Sequence, residues 1–240
     1  MNFKAILRKI FSIRDNQIAR DEWVRKELSQ IEPGKKLLDA GCGKQIYKAH
    51  CAHLIYKSQD FGKYDGKGSG EGLQTADWQY GHLDYVGDIW NVQEQDNTFD
   101  VILCTDVFEH IPYPNETLRE FSRLLKPGGT LLLTAPFASL PHMQPYYFYS
   151  GFSKDYYAYF LNEYGFESIS ITNNGNAFEF VAQELLRSNE FIDSNVIRFL
   201  YRMLAYGFLV PLLKSLSRRD TRSSKMLVFG YHVKANKRKN

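Results

Sequence analysis

Short apolar runs closed by turn residues alternate along this chain with stretches whose apolar positions recur at helical spacing. Phe3, Ile6, Leu7, Ile10 and Phe11 recur in that way with Lys4, Arg8 and Lys9 between them, predicting an amphipathic helix, and residues 16–30 carry a second helical pattern. Pro33-Gly34 ends it. Residues 36–40 then read as a buried parallel strand that feeds a turn at Gly41 and Gly43, with a helix of about ten residues expected from Lys44. Further strands are expected at 54–60, 84–89, 100–104 and 130–134, with a glycine-rich loop at 62–72 and a helix at 115–125. Beyond them the pattern loosens. An aromatic, proline-bearing segment from 136 to 159 reads as a loop or lid, ahead of a helix that ends at Tyr164-Gly165. A strand at 166–172, a helix at 176–188, a longer helix at 194–216 interrupted by Gly207 and Pro211, and a last strand at 226–234 complete the order. Strand and helix alternate throughout, which predicts an α/β chain with a doubly wound, Rossmann-like, mostly parallel sheet and helices on both faces. A helical extension over 1–32 precedes the main domain at 33–240, which carries a helical insertion at about 176–220.

Composition narrows the function classes. The 240 residues, 44% hydrophobic, suffice for one substantial core. The net charge of +3 sits mostly in the tail residues Lys234, Lys237, Arg238 and Lys239 rather than in a stripe, so no nucleic-acid partner is expected. Cys42, Cys51 and Cys104 form no CxxC pair and no disulfide framework, and His50, His53, His82 and His232 lack metal-ligand spacing. No metal is expected. The N-terminus has no uninterrupted apolar core of a secretory signal, and a reducing cytoplasm is the expected location.

The chemistry concentrates in Leu37-Leu38-Asp39-Ala40-Gly41-Cys42-Gly43, a strand that ends in an acidic residue and a Gly-x-Gly turn. Asp60 follows 21 residues after Asp39, where a carboxylate can accept from both hydroxyls of a ribose. The third glycine of a dinucleotide fingerprint is replaced, since Lys44, Gln45 and Ile46 follow Gly43, which disfavours a dinucleotide oxidoreductase. Asp88-Ile89, then FDVILCTDVFEHI at 99–111 and KPGGTLLLTAP at 126–136, complete a set that resembles the class I S-adenosylmethionine (SAM)-dependent methyltransferases over residues 33–172. That resemblance implies a seven-stranded sheet with one antiparallel strand and SAM as cofactor. It also implies that Asp39, Gly41 and Gly43 surround the methionine part of SAM, Asp60 holds the ribose, Asp88 and Ile89 contact the adenine, and Cys104 and Thr105 line the pocket.

Glu109-His110 has two readings, orientation of its loop or direct chemistry. PFASLPHMQP, containing His142, resembles a segment of a type 11-like branch often associated with polysaccharide or cell-surface biosynthesis. A histidine in such a lid has the pKa of a general base for a hydroxyl acceptor, with Tyr146 or Tyr147 as helpers. The expected acceptor is a small molecule methylated on oxygen, sugar-like or lipid-linked. The alternatives are carbon or nitrogen methylation of a quinone-like metabolite, or a SAM-fold partner protein without turnover. Residues 196–216 are apolar nearly all round, with eleven uncharged positions between Arg202 and Lys214, fewer than a bilayer crossing needs. They either pack on the sheet or a second subunit, or lie on a membrane surface. The oligomeric state is left open.

Overall fold

A computed structural model describes residues 16–239; the amphipathic helix expected before Asn16 lies outside the described residues. The elements are α1 (Asn16–Ser29), β1 (Lys36–Ala40), β2 (Ile55–Asp60), β3 (Tyr85–Val86), β4 (Phe99–Thr105), α2 (Pro114–Leu124), β5 (Leu125–Pro136), α3 (Lys154–Glu163), β6 (Phe166–Asn174), α4 (Ala177–Arg187), α5 (Asn195–Leu204), α6 (Val210–Arg219) and β7 (Gly230–Lys237). The seven strands form one sheet in the order β3-β2-β1-β4-β5-β7-β6. Strands β1 to β5 pair in parallel, and β7 runs antiparallel to β5 with Pro136 opposite Gly230 and Thr130 opposite Asn236.

Alternation along the strands sets the core. Leu37, Val101, Leu103 and Leu132 turn to one face, where they pack with Val24 and Leu28 of α1 and with Tyr47 and Cys51. Leu38, Ile102, Cys104, Leu131 and Leu133, on alternate positions, are equally buried. Phe108 lies 6.3 Å from Phe121 of α2 and 5.8 Å from Phe152, ring centre to ring centre.

Several expectations are corrected. The helix expected from Lys44 is only a 3₁₀ turn at Lys48–Cys51. Gly41, Gly43 and Gln45 all have positive φ, so the chain leaves β1 through a series of left-handed steps that a helix cannot accommodate, and α1 covers the sheet there instead. No α-helix follows β2 or β3 among the described residues, and β3 itself is two residues long, so Asp88 and Ile89 lie beyond the strand. Strand β5 begins before the Lys126-Pro127-Gly128-Gly129 turn, which forms an irregularity between the Phe99–Leu125 and Val101–Thr130 pairs. The last strand starts at Gly230 rather than 226, because its ladder must match residues 130–136 of β5. The aromatic segment after β5 is irregular to Ser153, whose hydroxyl caps α3 by accepting from Tyr156 N. Gly207 falls in a single π-helical turn, Ala205–Leu209, between α5 and α6, and Pro211 occupies the tolerated first turn of α6.

The described residues divide into two compact units, one of residues 22–172 with the C-terminal segment from Gly230, the other of residues 173–229 with residues 16–21. The first contains most of the sheet and all candidate site residues. The second holds α4, α5 and α6; in it Asn176 caps α4 by accepting from Phe178 N and Glu179 N, and α5 exposes Val196, Ile197, Phe199, Leu200 and Met203.

Candidate active site

The ends of β1, β2 and β3 are tied together at one edge of the sheet. Beyond Ala40 the chain turns through Gly41 (φ 70°) and Gly43 (φ 49°). A Cβ would meet Val107 at 2.5 Å from the first and the Trp78 ring at 2.7 Å from the second, so both positions require glycine. Gly41 N and Cys42 N donate to Gln59 O at 2.9 and 3.0 Å. Gly43 N donates to Asp60 Oδ2 at 2.9 Å and Gly62 N to Asp60 Oδ1 at 3.0 Å. Gly87 N closes the edge on Asp60 O at 3.1 Å.

Two buried carboxyls therefore flank the turn. Asp39 is 2% exposed and accepts from Tyr56 Oη at 2.6 Å. Burial pushes its pKa up to about 7, with the Tyr56 bond working against the rise and the Asp60 charge adding to it. Burial also raises Asp60, and the amides of Gly62, Gly43 and Phe61 hold it back. Carboxyls kept from water in this way favour a ligand that brings positive charge and hydroxyl donors. Each Asp60 oxygen keeps a lone pair for such hydroxyls.

Cys104, in β4, is fully buried, and burial followed by the charges of Asp39 and Glu109 pushes its thiol well up. It is an inert group within the field of both carboxyls. Thr105 ends the strand half-buried; Asp88 is exposed, and Ile89 is buried. Sequence reasoning missed Tyr56, Gln59 and Trp78. Trp78 Nε1 is buried, and its neighbouring acceptor is the Tyr80 hydroxyl, outside strict hydrogen-bonding geometry. Lys44 Nζ lies 5.0 Å from its ring centre. A glycine turn beside two buried carboxyls, with the Trp78 ring against Gly43, fits an amino-acid-bearing nucleoside such as SAM. The signal for Trp78 was available as a lone tryptophan in an otherwise polar loop.

Two long irregular segments fold together over this edge. Ser69 N donates to Gln144 O at 2.8 Å, Leu73 N to Pro141 O at 3.0 Å, and Met143 N to Leu73 O at 2.9 Å. Phe148 N and Tyr149 N both donate to Glu109 O. The expected lid is thus tied both to the loop after β2 and to the turn after β4. It brings His142 over Glu109 and His110, with the two imidazole centres 4.6 Å apart. His110 Nδ1 contacts Tyr146 O at 2.6 Å and His142 Nδ1 contacts Leu140 O at 2.8 Å. A carbonyl only accepts, so both Nδ1 atoms carry hydrogen. Burial lowers the pKa of His110, partly offset by its bond to Tyr146. Glu109, His110 and His142 are the residues that could hold a metal here.

Comparison with known proteins decides the family. A family model described as a methyltransferase domain matches residues 13–171. The chain belongs to this methyltransferase family. Its fold is shared with a SAM-dependent methyltransferase from Archaeoglobus fulgidus, 13% identical, with 98% of this chain and all of that one aligned at a TM-score of 0.56. Phosphoethanolamine N-methyltransferase 2 of Haemonchus contortus, solved with phosphomonomethylethanolamine and S-adenosylhomocysteine, aligns over 90% of this chain and 51% of its own length, at 19% identity and a TM-score of 0.51. A ubiquinone biosynthesis O-methyltransferase of Xanthomonas oryzae pv. oryzae is 46% identical over 41 residues, which is 17% of each chain. The chain therefore spans about half of the Haemonchus enzyme, and its match to the Xanthomonas enzyme is confined to one short stretch. Family and fold are those of the class I SAM-dependent methyltransferases, and the dinucleotide alternative falls.

Proposed function

We propose that the chain transfers a methyl group from SAM to a hydroxyl oxygen of a small, sugar-like or lipid-linked acceptor, with His142 receiving the hydroxyl's proton. The observation that carries this reading is the meeting of His142 with Glu109 and His110 at the sheet edge that holds the glycine turn. When bound, the cofactor supplies a methyl already activated by its sulfonium, so the chain's own task is alignment and proton removal. Asp39 and Trp78 take the charged ends of the methionine part, Gly41 and Gly43 admit it closely, and Asp60 accepts from the ribose hydroxyls. Asp88 and Ile89 flank the adenine, and Thr105 with Cys104 forms the pocket wall. His142 holds its ring by Nδ1 and offers Nε2 to the acceptor.

The test is methyl transfer from labelled SAM to panels of sugar, polyprenyl-linked and phenolic hydroxyls by wild type and His142→Ala. Transfer to a hydroxyl, lowered at least about 100-fold in kcat by the substitution with cofactor affinity kept, supports the reading. Transfer unaffected by it removes His142 from the chemistry. A quinone-like acceptor is the second reading, favoured by the 41-residue match to the ubiquinone biosynthesis enzyme.

A membrane-surface location accompanies a lipid-linked acceptor. Residues 195–219 form a 25-residue helical stretch that is apolar and long enough to cross a membrane by length and composition alone, and 11% of its most apolar window is buried. Arg198, Arg202, Lys214, Arg218 and Arg219 punctuate it, a pattern suited to lying among anionic headgroups. The three cysteines are free and buried, which suits a reducing cytoplasm. Co-sedimentation with anionic vesicles that is lost in Leu200→Glu supports this placement; equal sedimentation of both proteins contradicts it.

A further inference from the structure

The Glu109–His110 pair and His142 stand 32 residues apart in sequence between the two histidines, yet their ligand-type atoms converge. Glu109 Oε1 lies 3.8 Å from His110 Nε2 and 3.9 Å from His142 Nε2, and the three atoms fall within 4.8 Å of one another. Ligands around a tetrahedral ion with bonds of about 2.1 Å sit roughly 3.4 Å apart. Inward movement of up to about 0.7 Å by each atom closes that difference. We propose that Glu109, His110 and His142 form a divalent transition-metal site that binds the hydroxyl of the methyl acceptor.

Three features beyond proximity support it. Each imidazole already donates Nδ1–H to a backbone carbonyl, Tyr146 O or Leu140 O, which is the outer support that metal-binding histidines usually have, with Nε2 of each ring within 3.9 Å of Glu109 Oε1. Glu109 is 2% exposed and its backbone oxygen is held by Phe148 N and Tyr149 N, so its position is fixed by the same segment that carries His142. Two histidines and one carboxylate leave coordination positions for water or substrate, as in catalytic sites rather than closed structural ones. The side chain of His142, 26% exposed, provides the open side.

The inference rests on the hydroxyl-methylation reading and deepens it. An ion here lowers the pKa of the acceptor hydroxyl, whose proton leaves to water. The oxygen's lone pair forms the new O–C bond, and the electrons of the breaking S–C bond stay on the cofactor's sulfur. His142 then serves as a ligand of the ion in place of direct recipient of the proton.

The experiment titrates chelator-treated full-length protein with Zn²⁺ by calorimetry and with Mn²⁺ by electron paramagnetic resonance. His142→Ala and Glu109→Gln are run alongside, each confirmed as folded by circular dichroism, and SAM is titrated into the same samples. The expected result is one ion per wild-type chain, bound at least tenfold more weakly by both variants, with methyl transfer lost on chelation and restored by one of the ions. Absence of ion binding by wild type, or equal affinity in folded His142→Ala, overturns the site. Methyl transfer that survives chelation but fails in His142→Ala also overturns it and leaves the direct route intact. Loss of SAM binding in all samples is the separate failure of the methyltransferase reading.

Discussion

Asp39→Asn is expected to stabilise the ligand-free chain while weakening its hold on the cofactor. The wild-type carboxyl is raised to about 7, chiefly by burial. An aspartate in the unfolded chain titrates near 4, so between about pH 4 and 7 the folded chain holds a proton that the unfolded chain has released. Stability therefore falls as pH rises through that window and levels off above about pH 7. At 1.36 kcal/mol per pKa unit the separation corresponds to roughly 4 kcal/mol. Asparagine has no charge to bury and keeps an oxygen for the Tyr56 hydroxyl. The variant should thus melt higher than wild type above pH 7, by up to roughly 8–16 °C at 2–4 °C per kcal/mol, with the gap closing towards pH 4. Cofactor binding should show the opposite preference. A cationic ligand favours ionised Asp39, so wild-type binding releases a proton below about pH 7 and tightens up to roughly tenfold per pH unit until it levels off. The variant's affinity should be weaker and flat. Thermal scans across pH, with calorimetry in buffers of different ionisation heat, measure both. Parallel melting profiles, or a flat wild-type affinity between about pH 5 and 7, would refute the reasoning.

Trp78→Phe keeps a ring against Gly43 but removes the buried N–H, so cofactor affinity should fall roughly tenfold with little change in denaturant midpoint, the loss of one hydrogen bond to a charged group. Gly43→Ala places a Cβ 2.7 Å from that ring at φ 49°, and chemical denaturation should record a loss of about 1–3 kcal/mol together with weakened cofactor binding. Phe108→Ala removes a fully buried ring next to Phe121 and Phe152 and should cost about 3–5 kcal/mol by denaturant titration; a loss under about 1 kcal/mol would contradict the assigned core.

Much of the sheet was legible because each strand is a short apolar run with a distinct terminator, as at Leu37 to Gly43 and at Phe99 to Thr105. The glycine turn was legible for the same reason, since the residue types it needs are few. The missing helix after Gly43 was not: Lys44 to Cys51 has ordinary helical composition, and only the backbone shows the left-handed steps at Gly43 and Gln45. The cluster at Glu109 was half legible. Glu109-His110 and His142 each stood out, but their meeting depends on the backbone bonds of Leu73 with Pro141 and Met143 and of Ser69 with Gln144, and on the hold of Phe148 and Tyr149 on Glu109 O, none of which leaves a periodic trace. Trp78 escaped because its significance lies in what it covers, the glycine at position 43. The last strand was misplaced because Met226 to Phe229 is as apolar as a strand, while the ladder with β5 fixes its start at Gly230.

Calorimetric titration of the purified chain with SAM and S-adenosylhomocysteine, repeated with Asp60→Ala shown to be folded by circular dichroism, tests the central claim most directly. The expected result is one cofactor per chain for wild type and, with the ribose contact gone, binding weaker by roughly 10- to 150-fold in the variant, equivalent to about 1.5–3 kcal/mol. Wild-type protein that binds neither ligand would contradict the account.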